Sequence, residues 1–223
     1  MKVITYATHS DGSFEELVNN KFGVEVTVLG MGDTWKGFIS RTQAYRDYLD
    51  TLPDEEVVVF VDGFDSHILK PITNLQKVFE EFDSDIIVSR DSDLGMPYFR
   101  DKTFGKCKDG ITANAGMIMG YVSSLRYLFD AIVNDKSKDD QRNLNNVCKY
   151  FPKLSIDVDN KIFENINIKN ADFSQSQAFF GQTPGKGPKA TFLRNMKTHA
   201  PYLIPEIILI LLILYFLYLQ FIK

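Results

Sequence analysis

The stretch EEVVVFVDGFDSHIL, residues 55–69, decides the fold class. Its apolar residues 57–61 form a continuous run of strand length, which is typical of a strand buried on both faces of a parallel sheet. The run ends directly in DGFD, residues 62–65. Open α/β sheets bind ligands beyond the carboxyl ends of their strands, so the two carboxylates of this turn are the first candidates for a functional site.

Other apolar runs alternate with amphipathic segments along the chain. The further runs of strand length are Val3–Ala7, Val24–Gly30, Asp85–Ser89 and Ala115–Gly120. The segments with apolar residues three and four positions apart are Phe14–Asn20, Arg41–Leu52, Asn74–Phe82, Val122–Val133 and Asp139–Phe151. This alternation predicts an α/β fold with a mainly parallel central sheet. The segment 174–189, with its Gln, Pro and Gly residues, is predicted to be a loop that leaves the core.

Composition and charge exclude several classes of protein. The 223 residues, 44% of them hydrophobic, are enough to bury a core, which rules out a disordered or fibrous chain. A net charge of -4 gives no basic footprint for a nucleic-acid backbone, so no nucleic-acid partner is expected. Cys107 and Cys148 belong to no Cys-x-x-Cys or Cys/His pattern and are predicted to be buried free thiols.

The C-terminal stretch 207–222, IILILLILYFLYLQFI, carries no charge. It would cover about 24 Å as a helix, short of the ~30 Å hydrocarbon core, and the five residues before it would bring it close to the usual length. We predict a transmembrane helix at 204–222, a juxtamembrane linker at 190–203 and a domain at 1–189. A buried core helix is the alternative, disfavoured because the stretch has no polar face. Basic residues before the stretch predict a cytoplasmic domain, anchored in the lipid bilayer by a single C-terminal pass.

Asp62 and Asp65 end a strand together, where their carboxylates can converge on one divalent cation. Carboxylate oxygens suit Mg²⁺ or Mn²⁺, and such an ion would neutralise a diphosphate. The alternative is a solvated turn in which the aspartates bond only backbone donors. The spacing alone leaves both interpretations open.

Six stretches in order carry a resemblance that covers most of the chain, roughly residues 3–189. They are VITYAT (3–8), LGMGDTWKG (29–37), VVVFVDGFDSHIL (57–69), NAGMIMGY (114–121), KDDQ (138–141) and NKIFENIN (160–167). In these stretches the chain resembles the glycosyltransferase domain of the procollagen lysyl hydroxylase and glycosyltransferase (PLOD) family. The resemblance implies a GT-A fold that uses Mn²⁺, or Mg²⁺, and a UDP-sugar such as UDP-glucose or UDP-galactose.

For the donor nucleotide, the resemblance assigns roles residue by residue. It implies that Asp62 and Asp65 bind the metal ion and that Thr8, at the end of the first strand, holds the uridine. Phe64 stands where the family has a tyrosine that stacks on the nucleoside. The replacement keeps the aromatic face and loses a hydroxyl.

The resemblance also assigns residues to the diphosphate and the sugar. Arg41 matches a basic position near the diphosphate, and Trp35 matches the loop beside it, although core packing is an equal alternative for Trp35. Asn114 and Gly116 match the family's N-x-G strand, which lines the sugar. The glycine allows close approach of a ligand, and the asparagine offers both a donor and an acceptor to sugar hydroxyls.

Asp139 and Asp140 align with the end of an acidic run on the acceptor side of the family's active site. We therefore predict that one of them orients or deprotonates the acceptor hydroxyl. Lys136 and Lys138 interrupt the run in this chain. The alternative is that the two aspartates only place favourable charge at a helix N-terminus.

The segment PGKGPK, residues 184–189, is the largest departure from the family. The family has H-G-N-G-P there, with a histidine that ligates the metal, and Pro184 takes its place. Lys186 and Lys189 are still predicted to bind diphosphate oxygens, and His199 is a further candidate for the missing ligand. His9 is expected to be an ordinary surface or strand-end residue.

The residues and the resemblance together predict a membrane-tethered enzyme that moves a hexose from a UDP-sugar to a hydroxyl of a protein or glycan. The acceptors implied by the resemblance are hydroxylysine and galactosyl-hydroxylysine of collagen-like proteins, and a cytosolic or virus-encoded acceptor is the alternative. Two other functions stay open at this point. One is an inactive binding module of the same fold, and the other is a UDP-sugar hydrolase that shares the donor site.

Overall fold

The computed structural model describes residues 1–92, 97–166, 168, 171–183 and 188–221. The strands are β1 (Lys2–Tyr6), β2 (Val26–Leu29), β3 (Val57–Asp62), β4 (Ser66–Ile68), β5 (Ile86–Arg90), β6 (Ala113–Tyr121), β7 (Leu154–Asp157), β8 (Phe163–Asn165) and β9 (Phe180–Gln182). The helices are α1 (Phe14–Val18), α2 (Phe38–Leu49), α3 (Leu75–Glu80), α4 (Pro97–Phe104), α5 (Val122–Asn134), α6 (Asp140–Val147) and α7 (Pro188–Phe221). Every predicted strand and helix is present, with ends shifted by a few residues.

Six strands form the central sheet in the order β2-β1-β3-β6-β5-β7. Neighbouring strands are parallel at β1–β2, β1–β3 and β5–β7, whereas β6 is antiparallel to both β3 and β5. The prediction of an α/β fold with a mainly parallel sheet is confirmed. Because β6 runs in the reverse direction, its first residues lie at the carboxyl ends of β3 and β5, where Asn114 pairs with Ser89.

Strand β3 is buried on both faces, as its continuous apolar run predicts. On one face, Val58 and Phe60 pack in a core formed mainly with α2 and α5. On the other face, Val57, Val59 and Val61 pack in a core that includes residues of α1, α3 and a second sheet. The two cores cover the sheet and leave its carboxyl edge for the loops that follow β1 and β3.

The second sheet has three strands in the order β4-β9-β8. Strand β9 lies in the middle, antiparallel to β4 and parallel to β8. The prediction of a loop over 174–189 is therefore wrong for residues 180–182, and it is also wrong for residues 188–189, which begin α7. Ala178, Phe179 and Phe180 are buried, and the burial of this short apolar run stabilises a strand within a segment of loop-like composition.

Cys107 and Cys148 form a disulfide with a Cα–Cα distance of 5.6 Å. The prediction of two free thiols is therefore wrong. The bond joins the segment between α4 and β6 to the residue that follows α6, across a sequence separation of 41 residues. Cysteines that meet only through tertiary structure leave no spacing pattern in the sequence, so the composition argument missed the pair.

Replacing both Cys107 and Cys148 by alanine is expected to lower the free energy of unfolding by roughly 2–4 kcal/mol, because the cross-link restricts the unfolded chain. Urea denaturation of the variant and the wild type measures the difference. Reductant should destabilise the wild type by a similar amount and leave the variant unchanged. A wild-type protein that shows two reactive thiols when denatured without reductant would contradict the disulfide.

The C-terminal helix α7 begins at Pro188, so the segment predicted to be a linker, 190–203, is helical. Within the described part of the chain, no helix has the length and apolar character needed to cross a membrane. The predicted transmembrane helix is therefore not supported.

Residues just before the apolar stretch of α7 contact the domain. Glu206 forms an ion pair with Lys102 at 2.6 Å, and the guanidinium of Arg142 lies 4.4 Å from the centre of the Tyr202 ring. The segment 202–206 is the one that would have lengthened the apolar stretch toward the thickness of a bilayer. In the structure, Tyr202 contacts α6 and Glu206 contacts α4.

Candidate active site

The carboxyl edge of the central sheet holds a cavity of 320 Å³. Its lining comes from the ends of β1 and β3, the loops that follow them, and the loop and first turn around the start of α2. Six residues predicted for the donor site line it together: Thr8, Trp35, Arg41, Asp62, Phe64 and Asp65. Residues from three separate stretches of sequence therefore meet at the edge where α/β sheets bind ligands.

Trp35 forms an exposed aromatic wall of this cavity. It is 43% exposed, and its ring centre lies 6.0 Å from that of Tyr6 and 5.4 Å from that of Phe38. Core packing, the alternative interpretation of Trp35, is therefore wrong. Phe64 lines the same cavity, so two aromatic side chains are available to a flat heterocyclic ligand.

The guanidinium of Arg41 bridges two aspartates from different elements. Its Nη1 donates to Asp62 Oδ2 of β3 at 3.0 Å, and its Nη2 donates to Asp140 Oδ2 of α6 at 2.6 Å. Burial disfavours the charged guanidinium, but the two carboxylates outweigh this and hold the pKa of Arg41 well above its usual value. Arg41 therefore connects the predicted metal site to the predicted acceptor side, in addition to lining the cavity.

Asp62 and Asp65 bring two carboxylates to the cavity. Among the described residues, no group of three or more His, Cys, Asp and Glu side chains is placed to hold a metal ion. Mg²⁺ is commonly bound through one or two protein carboxylates together with waters and substrate phosphates. The pair therefore fits a divalent ion that binds together with a diphosphate ligand.

Asn114 and Gly116 lie at the start of β6, on the same edge of the sheet. The Asn114 side chain accepts a hydrogen bond from the backbone N–H of Gly116 at 2.7 Å, and its amide donates to Gln141 at 3.4 Å. Gln141 in turn donates to Asp91 at 3.2 Å. The lining of the 320 Å³ cavity does not include Asn114 or Gly116, so the predicted sugar-lining strand is a separate part of this edge.

The structure gives the two predicted acceptor-side aspartates different surroundings. Asp140 is buried against Arg41, whereas Asp139 caps α6 by accepting a hydrogen bond from the backbone N–H of Arg142 at 2.8 Å. Asp139 therefore caps the N-terminus of α6, and the predicted catalytic role of the two aspartates stays a prediction. Asp139 also lines a second cavity, of 710 Å³, which shares Phe38 with the first. Burial raises the pKa of Asp139, although its hydrogen bond from Arg142 opposes this.

The segment 184–189 departs from the family's motif, and several residues predicted there as ligands lie outside the described part of the chain. Pro184 and Lys186 belong to the segment 184–187, and the side chains of Lys189 and His199 are likewise outside it. Their contacts with a diphosphate or a metal ion stay predictions.

Five residues line the 320 Å³ cavity without having been predicted to do so: Tyr6, His9, Asp11, Gly12 and Phe38. His9 Nδ1 lies 3.0 Å from Thr8 Oγ1, and its ring centre lies 5.2 Å from that of Phe64. His9 is exposed just beyond the end of β1, as expected of a surface or strand-end residue, and it also lines the cavity. The signal in the sequence was its place in the loop that follows β1, at the carboxyl edge of the sheet.

Comparison with known proteins finds relatives that match most of the chain. A profile of the PLOD GT domain matches residues 1–183. A curated relative, the procollagen-lysine,2-oxoglutarate 5-dioxygenase of Drosophila melanogaster, is 23% identical over 187 residues. The match covers 75% of this chain and 26% of the relative, so the chain spans about a quarter of the relative's length.

Solved glycosyltransferases share the fold. The galactosyltransferase LgtC, in complex with donor and acceptor sugar analogues, has a TM-score of 0.52 at 12% identity, with 91% of this chain and 96% of LgtC covered. A glycosyltransferase involved in the glycosylation of the major capsid of PBCV-1 has a TM-score of 0.54 at 11% identity, with 88% and 97% covered. At these identities the likeness shows the fold alone, which is of the GT-A type. The profile match over most of the chain shows the family, and the protein belongs to the PLOD glycosyltransferase domains.

Proposed function

We propose that the protein transfers a hexose, glucose or galactose, from its UDP-sugar to a hydroxyl acceptor. The observation that carries this proposal is the meeting of six residues with predicted donor roles in one cavity at the carboxyl edge of the sheet. Membership of the PLOD glycosyltransferase domains supports glycosyl transfer as the reaction class.

The cavity offers the contacts that a uridine diphosphate needs. Trp35 and Phe64 present aromatic faces for the uracil ring, and Thr8 adds a hydroxyl. Asp62 and Asp65 would hold Mn²⁺ or Mg²⁺, an ion that supplies electrostatic stabilisation to departing UDP when it is bound. The 3.0 Å bond from Arg41 fixes the orientation of the Asp62 carboxylate.

Asp139 is the base that we assign to the acceptor. It lines the 710 Å³ cavity, which adjoins the donor cavity at Phe38, and burial raises its pKa, which makes its carboxylate a stronger base. In the reaction, the acceptor oxygen bonds to the anomeric carbon, the bond to UDP breaks, and the acceptor proton passes to Asp139. Asp140, held by Arg41 at 2.6 Å, serves to position that arginine.

The acceptor that we propose is hydroxylysine, or galactosyl-hydroxylysine, of a collagen-like protein. Its support is the name of the Drosophila relative, an enzyme that acts on procollagen lysine. Because this chain spans about a quarter of that relative, the acceptor belongs to the proposal rather than to the family assignment.

The compartment of the domain is a separate matter. Its cytoplasmic placement stays a prediction based on the basic residues near the C-terminus. The Cys107–Cys148 disulfide makes that placement less favourable, because disulfides persist in oxidising compartments and are rare in the cytosol. A collagen-like acceptor would be consistent with an oxidising compartment.

Titrating UDP into the protein in Mn²⁺ or in EDTA tests the donor site. We expect Mn²⁺ to raise the affinity for UDP about tenfold or more, because the ion is shared between the two carboxylates and the diphosphate. UMP is the matched control, since with a single phosphate it should gain much less from the ion. Equal affinity for UDP in Mn²⁺ and in EDTA would contradict the proposed donor site.

A further inference from the structure

The second sheet carries a row of three polar residues across its strands. Ser66 of β4 pairs in register with Gln182 of β9, and Gln182 pairs in register with Asn165 of β8. Each has a buried polar atom with no hydrogen-bond partner among the described residues: Ser66 Oγ, Gln182 Oε1 and Asn165 Nδ2. Buried polar atoms are nearly always paired, so a row of unpaired ones indicates partners that the described residues do not supply.

Gln182 is the member of this row that lies nearest to the predicted sugar-binding residues. Its side chain lies directly over Gly116, where a Cβ atom would come within 2.4 Å of Gln182 Oε1 and 2.8 Å of Asn114 Oδ1. The next residue, Thr183, donates its backbone N–H to the carbonyl oxygen of Asp65 at 2.9 Å. Gln182 therefore lies between the Asn114 strand and the turn that carries the two carboxylates.

The two amide side chains at this place differ in their free hydrogen-bonding capacity. Asn114 Oδ1 already accepts from the backbone N–H of Gly116 at 2.7 Å, whereas Gln182 Oε1 has no described partner although Gln182 is only 8% exposed. A buried acceptor without a partner costs free energy that a suitable ligand hydroxyl would recover. The missing Cβ of Gly116 is what leaves room for the Gln182 side chain beside Asn114.

We propose that Gln182 is a specificity-determining residue for the donor sugar, with Oε1 accepting a hydrogen bond from a hydroxyl of the hexose. This inference rests on the proposed transfer from a UDP-hexose. A neutral carboxamide suits a neutral polyol. The nearby carboxylates of Asp62 and Asp65 disfavour a sugar that itself carries a carboxylate. The ligand class is therefore a neutral hexose attached to UDP.

The test compares Gln182→Met with Gln182→Glu and with a matched control, Gln43→Met, on the exposed face of α2. Methionine keeps the approximate length of glutamine and removes the acceptor, whereas glutamate keeps the acceptor oxygen. Affinities for UDP, UDP-glucose and UDP-galactose are measured by calorimetry in Mn²⁺. Thermal denaturation shows whether each variant is folded.

Gln182→Met is expected to weaken binding of the preferred UDP-hexose about tenfold and to leave UDP binding unchanged. The preference between glucose and galactose should shrink, and Gln182→Glu should retain more of it than Gln182→Met. The melting temperature of Gln182→Met should not fall, because an unpaired buried acceptor has been removed. Gln43→Met should behave as the wild type.

Two results would overturn the inference. Unchanged affinity of Gln182→Met for both UDP-hexoses would show that Gln182 does not contact the sugar. In that case a water molecule donates the hydrogen bond to Gln182 Oε1. Equal losses for UDP and UDP-hexose would show a general effect on the donor cavity. A wild type that binds neither UDP nor a UDP-hexose would overturn the proposed function itself, and the UDP titration distinguishes that failure from the other two.

Discussion

An Asp65→Asn variant is expected to lose about a hundredfold to a thousandfold of glycosyl transfer. Asparagine keeps the shape of the side chain and removes the charge that the pair of carboxylates offers to a divalent ion. Asp62 accepts a hydrogen bond from Arg41 at 3.0 Å, so replacing Asp65 leaves that contact in place. The measurement is the initial rate of UDP release with saturating donor, acceptor and Mn²⁺.

The matched control for this prediction is Asp11→Asn, an exposed carboxylate that lines the same cavity. It should retain most of the activity, because no metal role is assigned to Asp11. Thermal denaturation of both variants checks that the fold is intact. Wild-type rates in a folded Asp65→Asn protein would contradict the assignment of Asp65 to the donor site.

An Arg41→Met variant is expected to lower the free energy of unfolding by about 3–5 kcal/mol. Arg41 is buried and lies within 3.0 Å of Asp62 and 2.6 Å of Asp140. Methionine fills a similar space but leaves the two carboxylates without their cation, and an uncompensated buried charge is costly. Urea denaturation of the folded wild type and variant measures the loss.

Arg46→Met is the control on the same helix, because Arg46 forms ion pairs with Asp50 and Asp130, whose side chains are 61% and 49% exposed. Such pairs are worth at most about 1 kcal/mol. Adding Asp140→Asn to Arg41→Met removes one of the two carboxylates that were left without a cation. The double variant should therefore regain part of the free energy of unfolding that Arg41→Met loses. Equal effects of Arg41→Met and Arg46→Met would contradict the view that Arg41 is the buried link between β3 and α6.

The strands of the central sheet could be predicted because their signal is local. The continuous run 57–61 predicts a strand buried on both faces, and the structure confirms it. The rule that α/β sheets bind ligands at the carboxyl edge then located Asp62 and Asp65. The same rule, applied to the loop that follows β1, would also have located His9.

Other features depend on contacts between distant parts of the chain. The reversed direction of β6 sets Asn114 at the same edge as Asp62, and no periodicity in residues 113–121 reports a strand's direction. The Cys107–Cys148 disulfide and strand β9 likewise form only when the fold brings their partners together. The different surroundings of Asp139 and Asp140 depend on Arg41, which lies about a hundred residues away in sequence and binds only Asp140 of the two.

The central claim is transfer of a hexose from a UDP-sugar to a hydroxyl, and a turnover assay with product analysis tests it most directly. The whole chain is incubated with UDP-glucose or UDP-galactose, with Mn²⁺ or EDTA, and with hydroxylysine or galactosyl-hydroxylysine peptides. We predict UDP release that requires both Mn²⁺ and a peptide, together with a peptide heavier by one hexose in mass spectrometry. UDP release without a glycosylated peptide, or UDP binding without any release, would contradict the claim and identify a hydrolase or a binding module, respectively.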